Sequence, residues 1–336
     1  MQSLSRRGAT PMLLAGLLLL GTAPGCAWLQ QLTNRTPLPT TRVLAENLSL
    51  SELIAEVNRT PSQITSLKTT NATISGRAGL MPIPSLSANI AIERPQRFRL
   101  VGELGTLGGQ EVDLGSNDEL FWFWVRRNQP PAIYYSGHEE FAQSPARQAW
   151  PIDPVWLIDA FGLATLDPNG QHSGPQPVGK GRLEVRTIVP SGTEQWTKVS
   201  KIDPYLGQIV EQHVYDQRGT LVASVMMSGH RPDPVYQLMV PRNLEIKWPS
   251  TNLTLKVNLG DVAVNQVEEP NPALFAMPTI AGFQPVNLLE LQPQFGGGTD
   301  PATPGVQNVT TLDRRGPQEP ARAAARERQP LLNWLK

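Results

Sequence analysis

One cysteine, Cys26, has to serve the whole chain of 336 residues. No intramolecular disulfide can form, so stability has to come from a packed core. Basic excess is also missing. Residues 1–25 hold Arg6 and Arg7 and no acid, and without them 27 basic residues face 29 acidic ones, a net charge of −2. That balance argues against a nucleic-acid partner. The apolar run Met12–Leu20 is too short to cross a bilayer. Catalytic signatures are missing as well: the chain has no G-x-S-x-G elbow, no P-loop and no H-E-x-x-H. The four histidines, His138, His172, His213 and His230, lack metal-ligand spacing and read as solvated or strand-face residues. The carboxylate pairs Glu139-Glu140 and Glu268-Glu269 sit in loop-like contexts. Neither an enzyme nor a bound cofactor is expected.

The informative feature is the placement of Cys26. Arg6 and Arg7, the apolar run and then Ala23-Pro24-Gly25-Cys26 read as a secretory signal peptide ending in a segment that resembles a bacterial lipobox. Cleavage before Cys26, a thioether-linked diacylglycerol and an N-acyl chain such as palmitate would tether a soluble domain to a membrane. Two or three chains, at about 0.8 kcal/mol per buried CH2, hold where one does not. Acylation would also remove the only thiol nucleophile. Pro24 departs from the commonest lipobox, and a plain secreted protein or an uncleaved signal anchor fits the same residues. Ala27 in place of aspartate favours the outer membrane, facing the periplasm, where the familiar sorting rule operates.

After a Thr- and Pro-containing tether, residues 26–45, Asn47 or Ser49 can cap a helix to about Asn58 with Leu50, Leu53, Ile54 and Val57 on one face. Strands are expected at 69–77, 87–93, 97–103, 110–114, 119–126 and 132–136, then at 181–189, 195–202, 209–215, 221–229, 243–248 and 251–257. A second helix fits 154–161, with Asp153 as cap and a proline in the first turn. The Gly- and Pro-rich segment 167–180 reads as a loop, and 271–278 as a helical turn dropping Leu274 and Phe275 onto the sheet. Residues 286–336 read as a disordered tail. Its end, 321–336, fits either a solvated stretch or a short basic helix with Leu331, Leu332, Trp334 and Leu335 for a membrane or partner.

Ile92-Glu93-Arg94-Pro95-Gln96-Arg97-Phe98 resembles the R-P-x-x-F segment of the periplasmic lipoprotein carrier family, LolA. Leu120 to Phe123, after Ser116-Asn117-Asp118, is similar to that family's next strand. Leu104-Gly105-Thr106 is similar to a loop of the outer-membrane receptor LolB. Pro241 to Ile246, Leu253 to Leu259, Val264-Asn265 and Leu274-Phe275 with Pro278 resemble the superfamily's closing pattern. The resemblance spans residues 46–285 and implies a mainly β (α+β) fold: an unclosed antiparallel half-barrel with helices covering the concave face and an apolar cavity for acyl chains.

The resemblance further implies that Arg94 holds a lid shut, that Phe98 influences cargo release, and that Leu104, or alternatively Leu107, is exposed for membrane insertion. Read from the residues alone, Arg94 also fits a surface arginine, Phe98 ordinary core, and either leucine a side chain folded back on the sheet. Phe121-Trp122-Phe123-Trp124 is apolar on both faces, so one pair has to lie in the cavity, under a lid or at an interface. The expected function is binding of lipid or lipoprotein acyl cargo by a membrane-anchored lipoprotein, in transfer toward the outer membrane. The alternative is a scaffolding lipoprotein that binds an envelope protein.

Overall fold

The computed structural model describes residues 41–128, 130–144, 154–191, 194–266 and 271–291. Cys26, the leader, the cap Asp153 and the segment 321–336 lie outside them. The first helix, α1 (Leu50–Ser62), starts at a capping box: Glu52 N–H donates to Ser49 Oγ at 3.3 Å, and Ser49 N–H donates back to Glu52 Oε2 at 2.8 Å. The Ser49 hydroxyl, which donates to Glu52 Oε2 at 2.7 Å, and then the Ser49 N–H hold the Glu52 carboxyl below its usual range. Leu53, Ile54, Val57 and Pro61 form its buried stripe.

Strands follow as β1 (Ser66–Ala78), β2 (Met81–Glu93), β3 (Arg97–Glu103), β4 (Gln110–Ser116), β5 (Leu120–Val125) and β6 (Ala132–Gly137), with a one-turn helix α2 (Gly105–Gly108) between β3 and β4. Helix α3 (His138–Gln143) and helix α4 (Pro154–Ile158, continued by a wider turn over Asp159–Leu163) come next. The second half contributes β7 (Gln171–Val178), β8 (Arg182–Ser191), β9 (Glu194–Asp203), β10 (Gln208–Tyr215), β11 (Leu221–Ser228), the small pair β12 (Arg231–Pro232) and β13 (Met239–Val240), β14 (Asn243–Trp248), β15 (Leu253–Asn258), β16 (Ala263–Val264) and β17 (Gln284–Asn287).

All but β12 and β13 join one sheet in the order β17-β6-β5-β4-β3-β2-β1-β15-β14-β11-β10-β9-β8-β7, with β16 on β1. Every neighbouring pair is antiparallel except β17 with β6. The two ends of the order, β17 and β7, do not pair with each other, so the sheet is an unclosed antiparallel one, as expected. Its faces alternate by residue. Phe98, Leu100, Val225, Ile246 and Val257 join α1 and α4 in the main core, which fixes the concave side.

The segment that follows α4 is tied to α1 there. Asn58 of α1 donates to Leu166 C=O at 2.7 Å and accepts from Leu166 N–H at 2.8 Å. Leu166 is buried, so its backbone groups have no water to turn to. Asn58→Ala is expected to lower unfolding free energy by about 2 kcal/mol, measured by urea denaturation; a change within experimental error would show that the tie is dispensable. Asn265 does similar work at the turn from α1 into β1, accepting from Thr65 N–H (2.8 Å) and Ser66 N–H (3.2 Å) and donating to Gln63 C=O (2.7 Å).

Three stretches differ from expectation. Residues 171–178, read as loop, form the edge strand β7. Only one of its sides pairs, so Pro175 and Pro177 remove no needed donor. Residues 286–291, assigned to a disordered tail, continue β17 into a turn whose Leu288 is 1% exposed. At the other end, Leu44 of the expected tether is buried, and the Val43 and Leu44 N–H groups donate to Pro204 C=O.

Candidate functional site

Between the concave face and α4 lies a cavity of about 220 Å³. Alternation on the strands builds its floor: Leu100 faces Leu114 across β3 and β4, and Leu114 faces Phe123 across β4 and β5. Ile246 and Leu255, paired across β14 and β15, extend the wall on the far side. Leu157 and Phe161 of α4 close it from above.

Helix α4 is held in that position from both ends of its turn. Lys198 of β9 donates to Asp159 Oδ2 at 2.9 Å, and Phe161 is 1% exposed. Gly162, at φ +85°, then turns the chain where Pro241 leaves no room for a Cβ, which would lie 2.6 Å from its Cδ.

The lining is apolar apart from Glu111 and Arg127. Arg127 Nε lies 3.3 Å and Arg126 Nη1 3.4 Å from the Glu111 carboxylate, which leaves the polar group of the rim paired. At the same end, Leu80 stands fully exposed at the β1–β2 tip beside Met81, next to the rim residues Pro82, Ile83 and Pro84.

Phe98 is 2% exposed, lines the cavity and meets Phe161 at 5.7 Å between ring centroids. Arg94 does not line it. Its guanidinium donates to Pro61 C=O at 2.6 Å, at the C-terminus of α1, where a cation also suits the helix dipole. Leu104 corrects the expectation of an exposed loop leucine: it turns inward, packs on the core and lines the cavity. The reason is local. Gly105 (φ +57°) and Gly109 (φ +72°) wrap α2 tightly, and Gly108, lacking a Cβ that would sit 2.9 Å from Leu104 Cβ, lets the leucine lie across it. The Leu107 side chain lies outside the described atoms.

The aromatic strand divides by face. Phe121 and Phe123 point to the concave side, where Phe121 packs edge-on against Phe141 of α3 at 5.0 Å. Trp122 and Trp124 lie on the other side beneath Met277, Ile280 and Phe283, with Trp124 edge-on to Phe283 at 5.2 Å. The Trp122 ring lies across Gly115, and both reach the edge of the cavity; Trp124 does not.

A buried ionic group backs this strand. Asp113, wholly buried, accepts from Trp122 Nε1 (3.0 Å), Gln110 Nε2 (2.9 Å) and Arg99 Nη2 (2.8 Å). Arg99 Nη1 donates onward to Leu274 C=O at 3.0 Å, which ties the covering segment to the sheet. The sequence reading missed Asp113, Leu114, Leu157 and Phe161. Alternation could have found Leu114 on the Phe123 face; the helical residues join the site only through tertiary packing.

No family model matches the chain, and no curated protein does. Among solved structures the likeness is one of fold. A LolA superfamily protein from Nitrosomonas europaea matches with a TM-score of 0.41 and 11% identity, over 69% of this chain and 99% of that one. A domain from Vibrio parahaemolyticus assigned to outer membrane lipoprotein sorting gives 0.44 and 10%, over 64% and 92%. A DUF1329 family protein from Desulfovibrio piger gives 0.45 and 10%, over 65% and 93%.

Proposed function

We propose that this protein binds the acyl chains of a lipid or lipoprotein in the cavity under α4, as a lipid-anchored protein of the bacterial envelope held through Cys26 at the periplasmic face of the outer membrane. One observation carries the reading: a pocket of about 220 Å³, open at its rim, is walled almost wholly by aliphatic and aromatic side chains. A space of this size with aliphatic and aromatic walls and one paired charge at its rim suits a chain of methylenes, each gaining about 0.8 kcal/mol on burial. The work is desolvation and release, with Leu80 and Met81 at the rim where a chain would enter.

The test is titration of the purified mature chain with a fluorescent long-chain fatty acid, alongside Leu114→Trp and Leu100→Trp. Added bulk that excludes two methylenes should weaken binding roughly tenfold, with circular dichroism unchanged. A native chain that binds no probe, or tryptophan variants that bind as the native chain does, would overturn the reading.

A further inference from the structure

Leu288 both lines the cavity and packs with Phe121 and Phe141. Leu291, three residues later, is 36% exposed, within about 11 Å of chain. The described chain therefore ends three residues beyond a side chain that lines the cavity. Forty residues separate Leu291 from Leu331, a maximal reach of about 130 Å, so Leu331 and its neighbours can reach every part of the rim. Between Leu291 and Leu331 the large apolar residues are only Phe295, Val306, Val309 and Leu312. Then four of five consecutive positions are apolar: Leu331, Leu332, Trp334 and Leu335.

Charge points the same way. Arg322, Arg326 and Arg328 precede that cluster. Acids border the exit of the chain: Glu139 and Glu140 on α3, whose Phe141 packs with Leu288, and Glu290 two residues after Leu288.

We propose that Leu331–Leu335 occupies the cavity of its own chain when no acyl cargo is present, with Arg322, Arg326 and Arg328 against Glu139, Glu140 and Glu290, so that cargo binds by displacing it. The proposal rests on the acyl-binding reading of the same site. A segment tethered in this way is held at an effective concentration on the order of millimolar. An intrinsic affinity of about 0.1 mM then keeps the cavity closed about ten times in eleven and raises the apparent Kd of cargo about tenfold.

The experiment uses the mature full-length chain carrying photoreactive p-benzoylphenylalanine at position 334, and a second variant lacking residues 331–336. The expected result is cross-linking within one chain to the segments around Leu114 and Leu157, suppressed by excess palmitate, and fatty-acid binding about tenfold tighter in the shortened chain. Cross-links absent from those segments, cross-links only between chains, or measurable probe binding that the deletion leaves unchanged would each overturn the proposal. The two readings fail separately. If position 334 cross-links into the cavity while neither chain binds fatty acid, the acyl reading falls and the self-occupied cavity stands; if both chains bind alike without cross-links, the reverse holds.

Discussion

Asp113→Leu is expected to lower the unfolding free energy of the mature chain by about 3–5 kcal/mol, the cost typical of removing one partner from a buried ion pair. The carboxylate is fully buried and serves three donors: Trp122 Nε1, Gln110 Nε2 and Arg99 Nη2. Its loss leaves the Arg99 guanidinium, 17% exposed, without its counter-charge, and the Trp122 N–H without an acceptor. Arg99 also lies 5.9 Å over the Trp122 ring and holds Leu274 C=O, so the covering segment should loosen with it. Adding Arg99→Met removes the orphaned charge, and the double variant should recover most of the loss, because well-packed apolar replacements of whole buried pairs are often neutral. Urea denaturation of the four members of the cycle decides it. A single-variant loss under about 1 kcal/mol, or a double variant no better than Asp113→Leu, would mean that the pair does not act as one buried unit.

The elements that could be read in the sequence are those whose signal is local. Ser49 with Glu52 three residues on and the stripe Leu53, Ile54, Val57 specify α1 within its own turn. Arg97–Glu103 and Asn243–Trp248 coincide with β3 and β14, since alternation and flanking turns bound them. The elements that could not be read depend on partners far along the chain. Strand β7 carries two prolines that would exclude a central strand and become tolerable only because the sheet ends there. Strand β17 is four residues, one of them Pro285, defined by parallel pairing with β6 about 150 residues earlier. The site divides similarly. Alternation separates Phe121 and Phe123 from Trp122 and Trp124, but which face meets the cavity follows from Phe283 covering Trp124 and from Leu157 and Phe161 closing over the other side. Exposure of Leu104 comes from the resemblance alone; the residues also allow a leucine folded back on the sheet, and the glycines of α2 make the tight turn that lays it half-buried against the core.

Acid should weaken the fold well above the range where carboxylates titrate, through His230. Its ring is 5% exposed, and burial pushes its pKa down from 6.5 to about 4, with nearby Asp203 offsetting only part of that. Below the unfolded value of 6.5 the unfolded chain takes up a proton that the folded chain refuses, so stability rises with pH between about 4 and 6.5 and falls as pH drops through that window. At about 1.4 kcal/mol for each pH unit separating the folded and unfolded values, the loss between pH 7 and pH 4 amounts to about 3 kcal/mol. Carboxylates held below their usual range add their own acid-dependent loss: Asp233, where burial opposes ionisation but the Tyr236, Leu238 and Val235 N–H groups outweigh it, and Glu245 through its Lys247 hydrogen bond. Those losses begin lower and are common to native and variant proteins, so the difference between native and His230→Gln isolates the imidazole. Urea denaturation at pH 7, 6, 5 and 4.5 should give a gap that narrows steadily as pH falls; parallel curves would show that His230 is readily protonated in the folded state. His230 directly precedes β12, and the β12–β13 pair leads into β14, whose Ile246 and Trp248 line the cavity. Mild acid should therefore loosen that wall of the cavity first.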